Sequence, residues 1–356
     1  MPRSSVPECT VTMIGATGCG KTTYMLGMYA GLSAGIEDYF LFTDDLDLDL
    51  DLSESWDELC DNGAVPKPTG VEVPRSYPFV FRQGNQTLLS FDWEDYRGGA
   101  MSQHLSDEMA VDVGPLRERL LRSDSIYLVL NGNYLASATT PANVRQTNKE
   151  TMARRMTTVV QKTLKEREQT GQRAPSMVVL VTKADLIVQA NRGATPGALM
   201  DMICDSARRL LPVCFTTGIN TLVCPVQLGD FGGDRQEAVD SDKVDPRNLD
   251  KPLIFSFLNY LDSYSHGLRG DLAGIEVGIA RNAQELQALE GSLLGIFQRG
   301  KIGRLREHGL EEKRRRERQT ARLAASESQV ARLAADLERA IAQRRVAVFE
   351  DGDPVG

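Results

Sequence analysis

The sequence predicts an α/β fold in which helices sandwich a mainly parallel sheet, followed by an α-helical, coiled-coil-like extension. Strand-like apolar runs alternate with amphipathic helical segments along most of the chain. These runs are almost continuously apolar, which is typical of parallel strands buried on both faces. A heptad pattern begins after about residue 270. We therefore expect an α/β domain at 1–268, a helical hairpin at 269–349 and a flexible tail at 350–356.

Composition narrows the class of protein. The 356 residues suffice for one α/β domain and an accessory region, and the net charge of −8 argues against a nucleic-acid-binding protein. No apolar run is long enough to span a membrane, and the N-terminus lacks the apolar core of a signal peptide. The six cysteines form no C-x-x-C pair, which indicates reduced thiols in a cytoplasmic protein.

The strands and helices follow from the local patterns in chain order. The predicted strands are 10–15, a hairpin of 77–81 and 87–94 that turns at Gly84-Asn85, then 125–132, 176–186 and 220–233. The predicted helices are 21–32, 115–123, 150–168 and 252–264. The acidic stretch 44–59 alternates aspartate and leucine, and its charge favours a loop or a marginal edge strand.

The C-terminal region predicts two helices. The first carries a heptad seam of Ile275, Ile279, Asn282, Leu286, Leu289, Leu293 and Ile296. Two glycines in 298–303 interrupt it, and a second helix continues to about Ala347, with Leu323, Val330, Leu333 and Leu337 at heptad spacing. An antiparallel hairpin is the preferred interpretation over one bent helix packed on the domain. The basic run 311–318 contains glutamates, which favours a solvated face over a lipid or nucleic-acid site.

The pattern Gly15-x-x-x-x-Gly20-Lys21-Thr22 follows the first strand and precedes the first helix. We call residues 15–20 the glycine loop. This spacing and context predict a P-loop NTPase, in which backbone N–H groups and a helix N-terminus cradle phosphates. Lys21 would reach the β- and γ-phosphates, and the Thr22 hydroxyl would bind Mg²⁺. The residues predicted to contact the nucleotide here are Gly15, Ala16, Thr17, Gly18, Cys19, Gly20, Lys21, Thr22 and Thr23.

A second motif bears on the choice of base. Thr182-Lys183-Ala184-Asp185 stands at the end of an apolar strand. A carboxylate at position 185 can accept hydrogen bonds from guanine N1 and N2, whereas adenine lacks this pair of donors. The stem of Lys183 would lie over the purine ring. Alone, the motif also fits a charged strand-to-helix turn, but together with the glycine loop it favours GTP and GDP.

Over residues 10–265 these motifs resemble the TRAFAC-class P-loop GTPases with a Ras-like core. The resemblance implies that Thr69 is a switch threonine that contacts Mg²⁺ and the γ-phosphate, the alternative being a proline-bounded surface loop. It implies that Asp95 of Asp95-Tyr96-Arg97-Gly98 holds Mg²⁺ through water and that Gly98 offers its amide to the γ-phosphate. Asp92 is the competing choice, but no glycine stands three residues after it.

The chain departs from that family at two places. Gln227 and Leu228 occupy the position of the usual Ser-Ala that contacts guanine O6, although a backbone contact needs no particular side chain. Gly99 replaces the glutamine that orients the attacking water, and the nearest polar residues are Gln103 and His104. Intrinsic hydrolysis is therefore expected to be slow. Arg97 either stabilises charge at the catalytic centre or is a solvated arginine.

The series of motifs is also similar to bacterial conflict-system GTPases with double-GTPase domains, a resemblance that implies a role in phage defence or stress response. The leading hypothesis is a GTP-dependent switch with weak GTPase activity and an effector or activating protein as partner. A P-loop ATPase that performs conformational work and a nucleotide-binding coiled-coil scaffold without turnover are the alternatives. The chain could also form a homodimer, either through the heptads or, equally, across the nucleotide site.

Overall fold

The structure, a computed structural model, describes residues 7–36, 38–64, 75–84, 86–95, 114–230, 239–290 and 299–355. The chain divides into two compact units, one of Met1–Phe257 with Asp336–Gly356 and the other of Leu258–Ala335. The boundary thus lies about ten residues before the one expected from the sequence, and the end of the chain belongs to the first unit.

The strands, numbered in chain order, are β1 (Glu8–Gly15), β2 (Tyr39–Phe42), β3 (Arg75–Gln83), β4 (Gln86–Asp95), β5 (Ser125–Asn131), β6 (Ser176–Thr182), β7 (Asn220–Pro225), β8 (Gln227–Gly229), β9 (Val244–Arg247), β10 (Ala347–Glu350) and β11 (Asp353–Val355). The helices are α1 (Lys21–Ala34), α2 (Leu46–Asn62), α3 (Gly114–Arg122), α4 (Val144–Thr151), α5 (Ala153–Gln169), α6 (Ala184–Ala190), α7 (Pro196–Leu210), α8 (Lys251–Glu290) and α9 (Arg299–Ala342).

Nine of the described strands form one sheet in the spatial order β11-β10-β7-β6-β5-β1-β4-β3-β2. The five strands from β7 to β4 in this order are parallel, while the flanking strands on both sides are antiparallel. The prediction of an α/β fold with a mainly parallel sheet is confirmed. Because parallel strands end at the same edge, the carboxyl ends of β4, β1, β5, β6 and β7 lie side by side.

Helices cover both faces of the parallel strands. Alternate residues of β5 point to opposite faces, so that Ile126 and Leu128 join one core while Tyr127 joins the other. The first core also contains apolar side chains of α3, α5 and α7. On the opposite face, Tyr24 of α1 and Phe257 pack against aromatic residues of β3 and β4. Burial on both faces explains why these strands are apolar throughout.

The structure confirms the predicted hairpin of two aromatic-rich strands. β3 and β4 pair in antiparallel register, with Phe79 opposite Phe91 and Gln83 opposite Gln86. The predicted helix 150–168 is instead divided between α4 and α5 at Met152, which has a positive φ of 58°. The side-chain pattern cannot show this break, because apolar spacing continues across it.

The prediction of a loop or a marginal strand for the acidic stretch 44–59 is wrong, because most of this stretch lies in helix α2. Asp45 caps the helix by accepting hydrogen bonds from the backbone N–H groups of Asp47, at 3.1 Å, and Leu48, at 3.2 Å. Acidic residues in the first turn also favour a helix through its dipole. Leu52 and Leu59 are buried, whereas Leu46 is 69% exposed. The alternating leucines therefore do not share one buried face.

The end of the chain, expected to be a flexible tail after residue 350, contributes an antiparallel strand pair to the sheet. β10 pairs with β7, and β11 pairs with β10. The Arg208 guanidinium lies over the rings of Phe215 and Phe349, at 5.0 and 4.7 Å from their centroids, and donates to the Gly352 carbonyl at 2.7 Å. These contacts attach the last strands to the first unit.

The second unit contains parts of α8 and α9 that pack antiparallel. Ser265 Oγ donates to Ser326 Oγ at 2.8 Å, and Arg306 pairs with Glu290 at 2.8 Å. Asn282, in the predicted seam, is buried and donates to the Leu305 carbonyl at 3.2 Å. Ile275 of the predicted seam is also buried, and Asn282 shows that the seam contacts α9 of the same chain. Among the described helices, none is long and apolar enough to cross a membrane.

Candidate functional site

The glycine loop joins the end of β1 to the start of α1 at the carboxyl edge of the parallel strands. Gly18 and Gly20 have φ angles of 74° and 89°, a conformation that strongly favours glycine. The Cys19 N–H donates to the Ala16 carbonyl at 3.3 Å, which closes a tight turn. The first N–H groups of α1 have no partner within the helix, so this turn presents donors suited to an anion.

Lys21 folds back into the glycine loop. Its Nζ donates to the carbonyls of Gly15 and Ala16, at 3.3 and 3.2 Å, and the residue is only 7% exposed. The loop carbonyls therefore hold a positive charge at this turn. Thr22 and Thr23 follow in the first turn of α1 and are half-buried.

The turn after β6 is hydrogen-bonded to the glycine loop. Thr182 Oγ1 donates to the Cys19 carbonyl at 2.5 Å, and Lys183 Nζ donates to the Gly18 carbonyl at 3.4 Å. Lys183 has a positive φ of 53° and precedes α6 as its N-cap. The structure thus brings together two predicted motifs that are about 160 residues apart in the sequence.

Asp185 lies in the first turn of α6 and is 7% exposed. Beside it runs the segment predicted to contact the base by its backbone. The Ala184 N–H donates to the Val226 carbonyl at 3.1 Å, so Gln227 and Leu228 follow directly after a residue bound to the start of α6. The side chain of Leu228 packs against α1 at Gly27. Hydrogen bonds therefore join the start of α6 both to this backbone segment and to the glycine loop.

A cleft of about 410 Å³ opens beside the glycine loop. Loop residues 16–19 line it together with Asn131, Tyr134, Glu150 and Thr151. Sequence reasoning missed these last four residues. No motif marked them, because they lie at the end of β5 or after it, in a segment whose only signal was the start of an amphipathic helix.

The predicted metal ligands are described only in part. Thr22 stands at the start of α1, and Asp95 is the last residue of β4, in register with Met13 of the adjacent strand β1. Only the backbone of Asp95 is described. The competing residue, Asp92, forms an ion pair with Arg119 at 2.7 Å and lies in the interior of β4, opposite Thr10. This partner and position separate Asp92 from the edge that carries the glycine loop.

Three further predicted site residues, Thr69, Arg97 and Gly98, lie outside the described residues. The same holds for Gln103 and His104. A comparison of the chain with models of known protein families gives no match, and a search of curated proteins finds no similar sequence. The case for a function therefore depends on the geometry of the described residues.

Proposed function

We propose that this protein is a guanine-nucleotide-binding switch that slowly hydrolyses GTP to GDP and phosphate in the presence of Mg²⁺. The observation that carries the proposal is the pair of hydrogen bonds from Thr182 and Lys183 to the carbonyls of Cys19 and Gly18. A charged strand-to-helix turn unrelated to nucleotide binding would have no reason to be attached to the glycine loop. This attachment supports reading the two motifs as one site.

The order of the strands supports the same location. The chain leaves β1 and next returns to a parallel neighbour at β4 on one side, and it then crosses to β5 on the other side. Ligands of open α/β sheets bind at the carboxyl ends of strands where such a reversal occurs. The glycine loop follows β1 at this point. Phosphates and a base would therefore bind along one edge of the sheet.

Each described group has a role in this proposal. The loop N–H groups and Lys21 bind the phosphates, and Asp185 accepts hydrogen bonds from guanine N1 and N2. Backbone groups near Gln227 and Leu228 contact guanine O6. Thr22 supplies a hydroxyl oxygen and Asp95 a carboxylate, which are the oxygen donors that Mg²⁺ prefers. Bound Mg²⁺ would neutralise negative charge on the β- and γ-phosphates.

The switch part of the proposal extends to residues that are not described. Thr69 and Gly98 would contact the γ-phosphate, and its loss would release both segments. An effector or activating protein is the expected partner, with the helical hairpin as a candidate for transmitting the signal. Gly99 stands in place of the water-orienting glutamine, which supports slow turnover without a partner.

Competition binding tests the choice of base. Fluorescent GDP is bound to the purified protein with Mg²⁺ and displaced by unlabelled GTP, GDP or ATP. We expect guanine nucleotides to compete and ATP to fail. Equal competition by ATP would refute base recognition by Asp185 and favour the ATPase alternative.

Asp185→Asn gives the sharper test. Hydrogen bonds to a charged group contribute about 1.5–3 kcal/mol, so GDP affinity should fall at least about tenfold. The amide N–H of the new side chain can donate to the carbonyl that xanthine carries at C2, so xanthine nucleotides should gain affinity. Asp201→Asn, at an exposed position of α7, is the matched control and should leave both affinities unchanged.

A further inference from the structure

Glu150 is the one carboxylate that lines the described part of the cleft beside the glycine loop. It borders the same space as loop residues 16–19, although it lies on α4, beyond the end of β5. The residue is half-buried. A carboxylate repels bound phosphate, so its presence here is unfavourable unless it accepts a proton or a hydrogen bond during the reaction.

Neighbouring groups hold Glu150 in place. Gln146, one turn earlier on α4, donates from Nε2 to Glu150 Oε1 at 2.5 Å. Thr151 is buried, and its hydroxyl donates to the Thr147 carbonyl at 2.7 Å. In the described part of the chain, no donor contacts the second carboxylate oxygen, Oε2. One oxygen is thus fixed while the other can accept a hydrogen bond.

The backbone changes direction directly after this pair of residues. Met152 ends α4 and begins α5 with a φ of 58°, in the left-handed region that non-glycine residues seldom adopt. Such strained residues cluster at functional sites, where the surrounding structure holds them. The break sets the end of α4, and with it Glu150, against the glycine loop rather than continuing one straight helix.

We infer that Glu150 is a catalytic residue that orients the attacking water and accepts its proton during GTP hydrolysis. The inference rests on the proposed function and deepens it. It also accounts for a catalytic group in a chain that has Gly99 where related GTPases have glutamine. Gln146 acts as a positioning residue, because it contacts the carboxylate and not the reacting atoms.

Hydrolysis transfers the γ-phosphoryl group of GTP to the attacking water. The water oxygen forms a bond to the γ-phosphorus while the bond from that phosphorus to the bridging oxygen breaks. The electron pair of the broken bond leaves with the β-phosphate of GDP. One proton of the water passes to the Glu150 carboxylate and from there to solvent, which regenerates the ionised side chain. The products are GDP and inorganic phosphate.

Single-turnover hydrolysis of preloaded GTP tests this role. Glu150→Gln keeps the size of the side chain and removes the base, and its rate should fall at least about 100-fold, in the range of general-base effects. Glu150→Asp should recover part of the rate, and Gln146→Ala should show a smaller loss. Glu168→Gln, at an exposed position of α5, is the matched control and should retain the wild-type rate.

Two binding measurements complete the test without turnover. GDP affinity in Glu150→Gln should equal or exceed that of the wild type, because the substitution breaks no contact with GDP and removes a negative charge beside the glycine loop. Fluoroaluminate, which mimics the γ-phosphoryl group in the transition state, should bind the GDP complex of Glu150→Gln more weakly than that of the wild type. A wild-type rate, or unchanged fluoroaluminate binding, in Glu150→Gln would overturn the inference. Loss of guanine preference in the wild-type protein would instead refute the proposed function.

Discussion

Thr182→Val tests whether one hydroxyl joins the turn after β6 to the glycine loop. Valine has nearly the same shape as threonine, so the substitution removes a polar group and leaves packing largely intact. Thr182 is 4% exposed, and its Oγ1 lies 2.5 Å from the Cys19 carbonyl and 3.3 Å from the Leu130 carbonyl. A hydroxyl has one hydrogen to donate, so the shorter contact, to the loop, is the one that the substitution breaks.

The size of the effect follows from burial. Thr182 and Cys19 are both buried, at 4% and 2% exposure, so water cannot readily replace the hydrogen bond that the substitution removes. A hydrogen bond of this kind contributes about 0.5–1.5 kcal/mol. A loss of about 1 kcal/mol corresponds to a fall in Tm of about 1–2 °C for a chain of this size. Nucleotide affinity should fall as well, because a less ordered loop must be fixed on binding.

Thermal unfolding and GDP titration measure the two effects together. Thr163→Val is the matched control, because Thr163 is also buried and donates at 3.1 Å to the Val159 carbonyl within its own helix. That carbonyl keeps its helical partner, so Tm should fall less and GDP affinity should not change. Equal Tm and equal affinity in the Thr182 and Thr163 variants would refute the claim that this hydroxyl holds the loop.

Two further predictions concern packing and thiol chemistry. In Gly15→Ala, a new Cβ would lie 2.9 Å from the Val129 carbonyl oxygen, so Tm should fall and GDP binding should be lost, as measured by unfolding and titration. Without denaturant, Cys60 should be the thiol that iodoacetamide modifies first, because the other five are buried. Burial and the charges of Asp61 and Asp57 raise the pKa of Cys60, so its modification rate, measured by peptide mapping, should still rise above pH 9. In Asp61→Asn, Cys60 should react faster at pH 8 than in the wild type.

The sequence alone was sufficient to predict those elements whose residue pattern fits only one local structure. The apolar runs of β5 and β6 are buried on both faces, which is what a parallel strand between helices requires. The aromatic pair of strands β3 and β4 follows from alternation and the glycine turn. The glycine loop was recognisable because its spacing, the preceding strand and the following helix all agree.

Other features depend on contacts that a pattern does not contain. In α2, the alternation of aspartate and leucine resembles the residue pattern of a β-strand. The cap at Asp45 and the burial of Leu52 and Leu59 favour a helix instead. Glu150 belongs to no motif, and only the break at Met152 and the path of the chain after β5 bring it to the loop. Residues that reach a site through tertiary structure alone leave no local signal.

The end of β5 provides a last test of how the site is assembled. β5 lies between β1 and β6, so the turn after β6 must pass over it to reach the glycine loop. Gly132 follows β5 at this crossing, and a Cβ there would lie 2.6 Å from the carbonyl oxygens of both Thr182 and Lys183. The absence of a side chain at position 132 is therefore what permits the contacts with Cys19 and Gly18.

Gly132→Ala should displace the turn, because backbone oxygens cannot rotate away as a flexible side chain would. Overpacking of this kind costs about 1–3 kcal/mol, and GDP affinity should fall together with Tm. Gly197→Ala is the matched control, since a Cβ there meets no atom within 4 Å and the position is in helix α7. That control should keep its GDP affinity and unfold at an equal or higher temperature. Normal GDP affinity in Gly132→Ala would refute the claim that GDP binding requires the close approach of the turn after β6 to the end of β5. It would also refute the coupling between this turn and the glycine loop that Thr182→Val tests.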